Sequence, residues 1–452
     1  MEFSFQGLLR KALTDEDVPI AAACHPRAGS IEKNALEAVL FVSSQSKRHL
    51  SRAPRTPATV LHRLAVDGDE LVRRAVARNP STTGESLATL AMSEESIPVV
   101  VGIAGHPDAP ASVLADVYSR FSESPPVRRA LCRNPRTPGL ALSKMVRNAS
   151  MIECKLIAAN PSADKESLKK FWGMGDCYLQ AEVAAHPHCS SDLIDLASCS
   201  TEALVRRKVA ENPNVSDLQL KNLLDDPAAP VRAAAVRHVT NLDVGHASFE
   251  DTSRLVRRDQ ARHRSLPEER LNTLATDTDT WVRQLVARNE TTPQRTLDLL
   301  ANDPVTDVRR SVSRNLMCRP PLLIHLGRDS HPWVRAGVAL RSDLPEFLMD
   351  ELAETDDEGV LSALGRNSMV SPQFLERLIE HQSQDVRRAV ILNRRAPRRL
   401  LRKLLIDPYP VNRAVLGRHE NLSLPDLSHL LGDPAPEVRF SGASSLVARL
   451  PQ

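Results

Sequence analysis

Residues 72–91 read VRRAVARNPSTTGESLATLA, residues 127–146 read VRRALCRNPRTPGLALSKMV, and residues 282–307 read VRQLVARNETTPQRTLDLLANDPVTD. These are copies of one repeat. With the leading valine as position 0, the repeat recurs at 72, 99, 127, 153, 179, 205, 231, 256, 282, 308, 334, 360, 386, 412 and 438. Glu153, Leu179 and Asn412 stand where other copies carry valine, and two weaker copies begin at Val18 and Ser46. The modal step is 26 residues, so about 17 repeats fill the chain from residue 18 onward. A fixed period of this size is the mark of a stacked-repeat architecture. Residues 1–17 read as an N-terminal capping segment and residues 18–452 as one continuous array, with no room for a separate catalytic domain.

Each repeat reads as two short helices. In the first (helix A), positions 0, +3, +4 and +7 share a face, as in Val282, Leu285, Val286 and Asn289. The second (helix B) begins near +10 or +11, often at Thr-Pro: Thr56-Pro57, Thr137-Pro138, Thr292-Pro293. The hydroxyl there is expected to accept from first-turn N–H groups, with proline at the first helical position. Apolar residues follow at +15, +18 and +19, such as Leu297, Leu300 and Ala301, and then a breaker such as Asp303-Pro304 or Asp407-Pro408. Two helices of about ten residues bury no face alone, whereas stacked pairs do, which predicts an all-α solenoid of two-helix repeats.

Composition agrees. Aromatic residues are 3% of the 452 and apolar residues 42%, which suits thin layers of helix rather than a sandwich or a doubly wound sheet. Net charge is +3, from 59 basic and 56 acidic residues, and 48 of the basic residues are arginine. The seven cysteines are widely spaced with no CxxC, as expected of reduced thiols in a cytoplasmic protein. No run of 18 apolar residues occurs, so no membrane partner is expected.

The V-R-R-x-V-x-R-N-P string, clearest at 72–80 and 127–135, resembles the bacterial leucine-rich repeat variant family, and the D-x4-V-R pattern at Asp303…Val308-Arg309 resembles HEAT repeats more distantly. The resemblance covers nearly the whole chain. It implies a right-handed superhelix of short helices, some of them 3-10, an Asp–Arg ladder between repeats, and a role in binding other macromolecules. A founding member carries an N-terminal cysteine cluster. Only Cys24 lies near this N-terminus, so no cluster carries over.

Position +7 holds asparagine at 79, 134, 160, 212, 289, 315, 367 and 393, and histidine at 25, 106, 186, 238, 263 and 419. A short polar side chain there can satisfy backbone groups left open where helix A ends. Histidines one repeat apart stand about 10 Å from each other, too far to share one ion. No metal, cofactor or catalytic constellation is expected, and His186-Pro187-His188-Cys189 is the +7 slot followed by its turn.

Arginine recurs at +1, +2 and +6, for example Arg309, Arg310 and Arg314. The +1 arginine is expected to pair with the preceding aspartate at +21. Those at +2 and +6 are either solvated or form a basic stripe that follows phosphates. Residues 386–418 form the densest patch: Arg387, Arg388, Arg394, Arg395, Arg398, Arg399, Arg402 and Lys403 stand against Asp407 alone. The like-charge pairs Arg398/Arg402 and Arg399/Lys403 point to an anionic partner, whether nucleic acid, an acidic protein surface or a neighbouring acidic repeat. Trp281 and Trp333 both sit at −1 and are candidate protein contacts or packing residues. The reading that follows is a non-enzymatic cytoplasmic scaffold that binds protein on its curved surface and takes no small-molecule substrate. Nucleic-acid binding through the arginine stripe and the 386–418 patch is the alternative.

Overall fold

A computed structural model describes residues 47–48, 51–52, 56, 58–240 and 250–448. The expected capping segment, the copy at Val18, Cys24, His25 and residues 241–249 lie outside them. The fold is an all-α solenoid array, and no strand occurs among the described residues. The contacts define two bodies, the described residues up to 193 together with 422–448, and the described residues of 194–421. In the first, A helices such as Ile97–Gly105, Pro125–Arg133 and Met151–Ala158 pack in succession on one another. In the second, the succession runs from Ala203–Ala210 to Pro410–Leu416, and B helices such as Gln294–Leu300 lean on the A helices beside them. Two 3-10 turns, Val146–Asn148 and Leu404–Ile406, extend B helices.

The core follows the repeat, with one correction. Val282, Val286, Ala287, Leu297, Leu300 and Ala301 are all buried, but Leu285 is only half-buried. Helix A therefore buries +5 in addition to 0 and +4, and buries +3 where that residue is small, as at Ala130, Ala234, Ala363 and Ala389. The cause is its packing against two A helices. Position +5 of one repeat meets +3 of the next, and small side chains let the backbones approach. A Cβ on Gly102 would lie 2.8 Å from that of Ala77, and one on Gly365 would lie 3.0 Å from that of Ala389.

The A–B turn also differs from expectation. The expected hydroxyl cap forms at Thr83, Ser216 and Ser371-Pro372, which accept from Ser86, Gln219 and Phe374 N, but Thr82, Thr137 and Thr292 do not accept from helix B. Each hydroxyl donates 2.6–2.7 Å to the +4 carbonyl of its own helix A, that of Val76, Leu131 and Val286. Pro293 is the N-cap residue, with φ −62 and ψ 151, so the threonine before it stands one residue too early to reach the N–H groups of helix B. In the Glu153 repeat, Phe171 takes the buried +18 place, and the helix ends through Gly173 to Gly175, whose φ of 73 is the left-handed conformation glycine tolerates.

Candidate interaction face

Two internal ladders fix the frame that carries the exposed side chains. In the first, the +1 arginine pairs with the following +21 aspartate of its own repeat, not the preceding one. Arg206–Asp226, Arg232–Asp251, Arg257–Asp277, Arg283–Asp303, Arg309–Asp329 and Arg387–Asp407 pair at 2.5–2.7 Å. The preceding aspartate contributes its backbone instead: Arg283 Nη1 donates to the Asp277 carbonyl at 2.8 Å, and Arg309 Nη1 to that of Asp303 at 2.9 Å. Each arginine thus clamps two loops. The aspartate also accepts from the N–H two residues on, as Asp303 does from Val305 at 2.8 Å. Burial works against the charge of Asp329 and Asp407, but the arginine and the turn N–H outweigh it and hold both carboxyls below their ordinary range. The first body builds the same rung as Lys47–Asp67, Arg73–Glu94 and Arg128–Glu153, which explains why glutamate replaces valine at 153. Arg335 keeps only the carbonyls of Asp329 and Ser330, because Thr355 occupies the +21 place.

The second ladder is the +7 slot, and it joins repeats rather than capping one helix. Asn289 Nδ2 donates to the carbonyls of Ala261 and His263 in the preceding repeat at 2.9 and 3.1 Å, while its Oδ1 accepts from Thr291 N at 3.0 Å. Asn134, Asn160, Asn315, Asn367 and Asn393 repeat this pattern. Histidine reproduces it with one donor: His186 Nδ1 accepts from His188 N, so its Nε2 carries the proton and donates to the Asn160 carbonyl at 2.7 Å. Burial pushes the His186 pKa down, which keeps the ring neutral. Both ring nitrogens are occupied. No group of three or more metal-ligating side chains occurs among the described residues.

Two members of the slot were misassigned or missed. His238 is exposed, and Val239 takes the place, because helix Ala229–His238 runs one residue further than its neighbours and turns the histidine outward. At 341 the slot holds an arginine. Arg341 Nη1 donates to the Asn315 carbonyl at 2.5 Å, and Asp343 neutralises it at 2.6 Å. Its two-residue spacing to Asp343 was the available signal.

With these columns buried, −1, +2 and +6 form the outer face of the A helices. In the second body Trp281 and Trp333 are each 57% exposed at −1, as are Leu255 and Val411 at the same position, and in the first body Leu71, Ile152 and Tyr178 are exposed there. The +2 cation of the preceding repeat covers three of the rings: Lys155 over Tyr178 at 5.0 Å, Arg258 over Trp281 at 6.0 Å and Arg310 over Trp333 at 5.5 Å. Many cations of this face are paired. Across repeats, Lys155 lies 3.6 Å from Asp176, Arg258 2.7 Å from Asp279 and Arg237 3.4 Å from Asp259, which Arg262 of its own helix also meets at 3.3 Å. Arg74, Arg78, Arg129, Arg133, Arg288, Arg310 and Arg314 have no carboxylate within 4.0 Å among the described residues.

The 386–418 patch divides. Arg387 is buried in its rung with Asp407 and belongs to the ladder, not to a surface. Arg388 donates to Asn412 Oδ1 at 2.9 Å and meets Asp385 at 2.9 Å. Arg394, Arg395, Arg398, Arg399, Arg402 and Lys403 are exposed around helix Arg398–Lys403, whose Leu400 and Leu401 face the core. Arg399 lies 3.5 Å from Glu376, and Lys403 lies 3.3 Å from Glu376 and 4.0 Å from Glu380. The preceding repeat therefore supplies acids that a reading of 386–418 by itself omits.

No family profile matches the chain, and no curated protein does. Among solved structures it is similar to a leucine-rich repeat variant with a novel repetitive structural motif, at 27% identity over 48% of this chain and 86% of that one, with a TM-score of 0.36. An engineered protein matches at 14% identity over 94% of this chain and 98% of that one, with a TM-score of 0.19. A designed armadillo repeat protein in complex with the peptide (KR)4 matches at 13% identity over 82% and 95%, with a TM-score of 0.08.

Proposed function

We propose that the chain is a non-enzymatic scaffold that binds another protein along the outer face of its A helices. The observation that carries this reading is the set of exposed rings at −1 in the second body, where Trp281 and Trp333 stand out of the surface ordered by cations, with Tyr178 in the same place in the first body. Such rings are rigid anchors of large contact area, suited to a protein partner. The pairing of Arg237, Arg258 and Arg262 with the chain's own acids leaves this face mixed in charge, and Arg399 and Lys403 on their B helix are likewise answered by Glu376, which supports a protein over a polyphosphate track. A reducing, cytoplasmic setting is part of this reading. The six described cysteines are unpaired, and burial pushes the Cys132 thiol up to about 12 and those of Cys189 and Cys318 up to about 11. No described helix is long and apolar enough to cross a membrane.

The test sets two experiments side by side. Proteins are captured from lysate on the full chain and on Trp281→Glu/Trp333→Glu, and labelled duplex DNA and single-stranded RNA are titrated at low and moderate salt. The reading expects a captured protein that the tryptophan variant loses, and no nucleic-acid binding. Salt-steep nucleic-acid binding that disappears in Arg398→Glu/Arg399→Glu/Arg402→Glu would overturn it in favour of the alternative.

A further inference from the structure

Arg288, Arg310 and Arg314 line one cleft of about 200 Å³ together with Ser311 and Asp307. None of the three has a carboxylate within 4.0 Å among the described residues. Arg288 Nε donates to Ser311 Oγ at 3.3 Å, and Ser311 Oγ donates to the Asp307 carbonyl at 2.8 Å. The Arg310 Nε–H is buried with no acceptor, while its guanidinium is held over the Trp333 ring at 5.5 Å. His331 supports that ring edge-on at 5.6 Å, its Nδ1 accepting from Trp333 N.

The repeat shows why the cleft is left open. Two repeats earlier the same positions hold Arg237, Arg258 and Arg262, with Trp281 in the place of Trp333. There Asp259 at +3 answers two of the arginines and Asp279 at −3 answers the third. Around Trp333 the +3 residue is Ser311 and the −3 residue is His331. The framework is the same, with both carboxylates removed.

We propose that this cleft binds a phosphate monoester carried by a partner protein, a phosphoserine or phosphothreonine side chain. Three guanidiniums against the single carboxylate of Asp307 leave two positive charges, which match the charge of about −1.5 to −2 on a phosphorylated side chain at neutral pH. Planar guanidiniums suit its three terminal oxygens better than one carboxylate's two. A nucleic-acid backbone fits less well, because it presents phosphates in succession. On one side Arg237, Arg258 and Arg262 are already paired, and on the other the +2 and +6 places are Ala336 and Leu340. The exposed Trp333 offers apolar surface to residues flanking the phosphate. The proposal deepens the protein-binding reading and rests on it for the identity of the carrier.

The test is calorimetric titration of the full chain with a short glycine-flanked phosphoserine peptide, its serine counterpart, inorganic phosphate and a single-stranded DNA oligonucleotide. The phosphoserine peptide should bind about tenfold or more tighter than the serine peptide, since charge-assisted contacts supply the difference. Ser311→Asp/His331→Asp restores both missing carboxylates and should lose that advantage with helix content unchanged. Arg314→Ala, which alters one exposed side chain, should weaken binding in the same direction. Equal binding of the two peptides, or unaltered binding by the double variant, overturns the proposal. So does inorganic phosphate binding as tightly as the peptide, or the oligonucleotide binding more tightly through the same residues. Failure here with Trp281→Glu/Trp333→Glu still losing its captured protein removes the phosphate site alone. A phosphopeptide signal with no captured protein leaves the site standing and removes the scaffold reading.

Discussion

The Trp281 and Trp333 regions share every buried column and differ in what stands on top of it. In both, valine fills position 0, a +1 arginine clamps two loops, and a +2 arginine covers the tryptophan. Around Trp281, Asp259 and Asp279 close the face upon itself. Around Trp333, Ser311 and His331 leave three cations lining a cleft. The lesson is that the columns at +3 and −3 decide whether a repeat is inert or available. The −3 residue is half-buried at the rim of the stack, and +3 lies deeper, where Ser311 is buried and Asp259 half-buried.

The largest expected effect falls on the frame that both regions share. Asp303→Ala removes the rung between them and leaves Arg283 without its carboxylate, which should cost about 3 kcal/mol locally. Hydrogen exchange in helices Thr280–Arg288 and Thr306–Ser313 should rise together. Protection unchanged in either helix would mean the ladder is not the common support. Next comes the slot: Asn289→Leu strands buried carbonyls and should cost about 2 kcal/mol, whereas Arg310→Ala should cost no more than about 1 kcal/mol, the worth of its cation–π contact. Equal losses in chemical denaturation would contradict the inter-repeat role of +7.

Acid separates the regions further. Burial raises the pKa of Asp259, while Asp279 and Asp329 are lowered: burial opposes their charge, but arginine and turn N–H groups outweigh it. Asp279, Asp329 and Asp407 therefore contribute stability that is complete above the unfolded value of about 3.9 and is lost as pH falls through their lower folded values. Asp259 has the opposite sign: its charged form costs stability, and that cost disappears as pH falls through its raised value. Carboxyl NMR should show Asp259 titrating first. The order reversed would mean that Arg237 and Arg262 dominate its surroundings. The smallest effect is on the rings themselves. Trp281→Ala and Trp333→Ala should each cost about 0.5–1 kcal/mol, the worth of an exposed cation–π contact, and a loss several times larger at either would mark that ring as core.

Much of this was legible in the sequence, because the period makes every column an average over many copies. The helix pairs, the buried valine, the +7 slot and the candidate tryptophans all followed from spacing. What escaped depends on the rotation and rise between repeats, which spacing within one repeat does not contain. Leu285 and Ala287 differ by a small turn about one helix, and only the neighbouring A helices decide which is buried. The acids Glu376 and Glu380 beside Arg399 and Lys403, and the pairing of Arg237 with Asp259, join neighbouring repeats, while the Arg–Asp rung closes within one repeat and its direction depends on how the two flanking loops approach the arginine. The cleft at Arg310 was written in two columns, but their meaning required knowing that +2 of one repeat faces −3 of the next.

The most direct measurement transplants the difference. The variant Asp259→Ser/Asp279→His/Ser311→Asp/His331→Asp exchanges the carboxylates of the two regions within one chain. Titrated with a phosphoserine peptide that carries a photo-crosslinker, it should regain an affinity close to wild type. Its crosslinks should move from the helices around Arg310 and Trp333 to those around Arg258 and Trp281. An affinity that stays lost, or crosslinks that stay at Trp333, would contradict the claim that these two columns alone open or close the face.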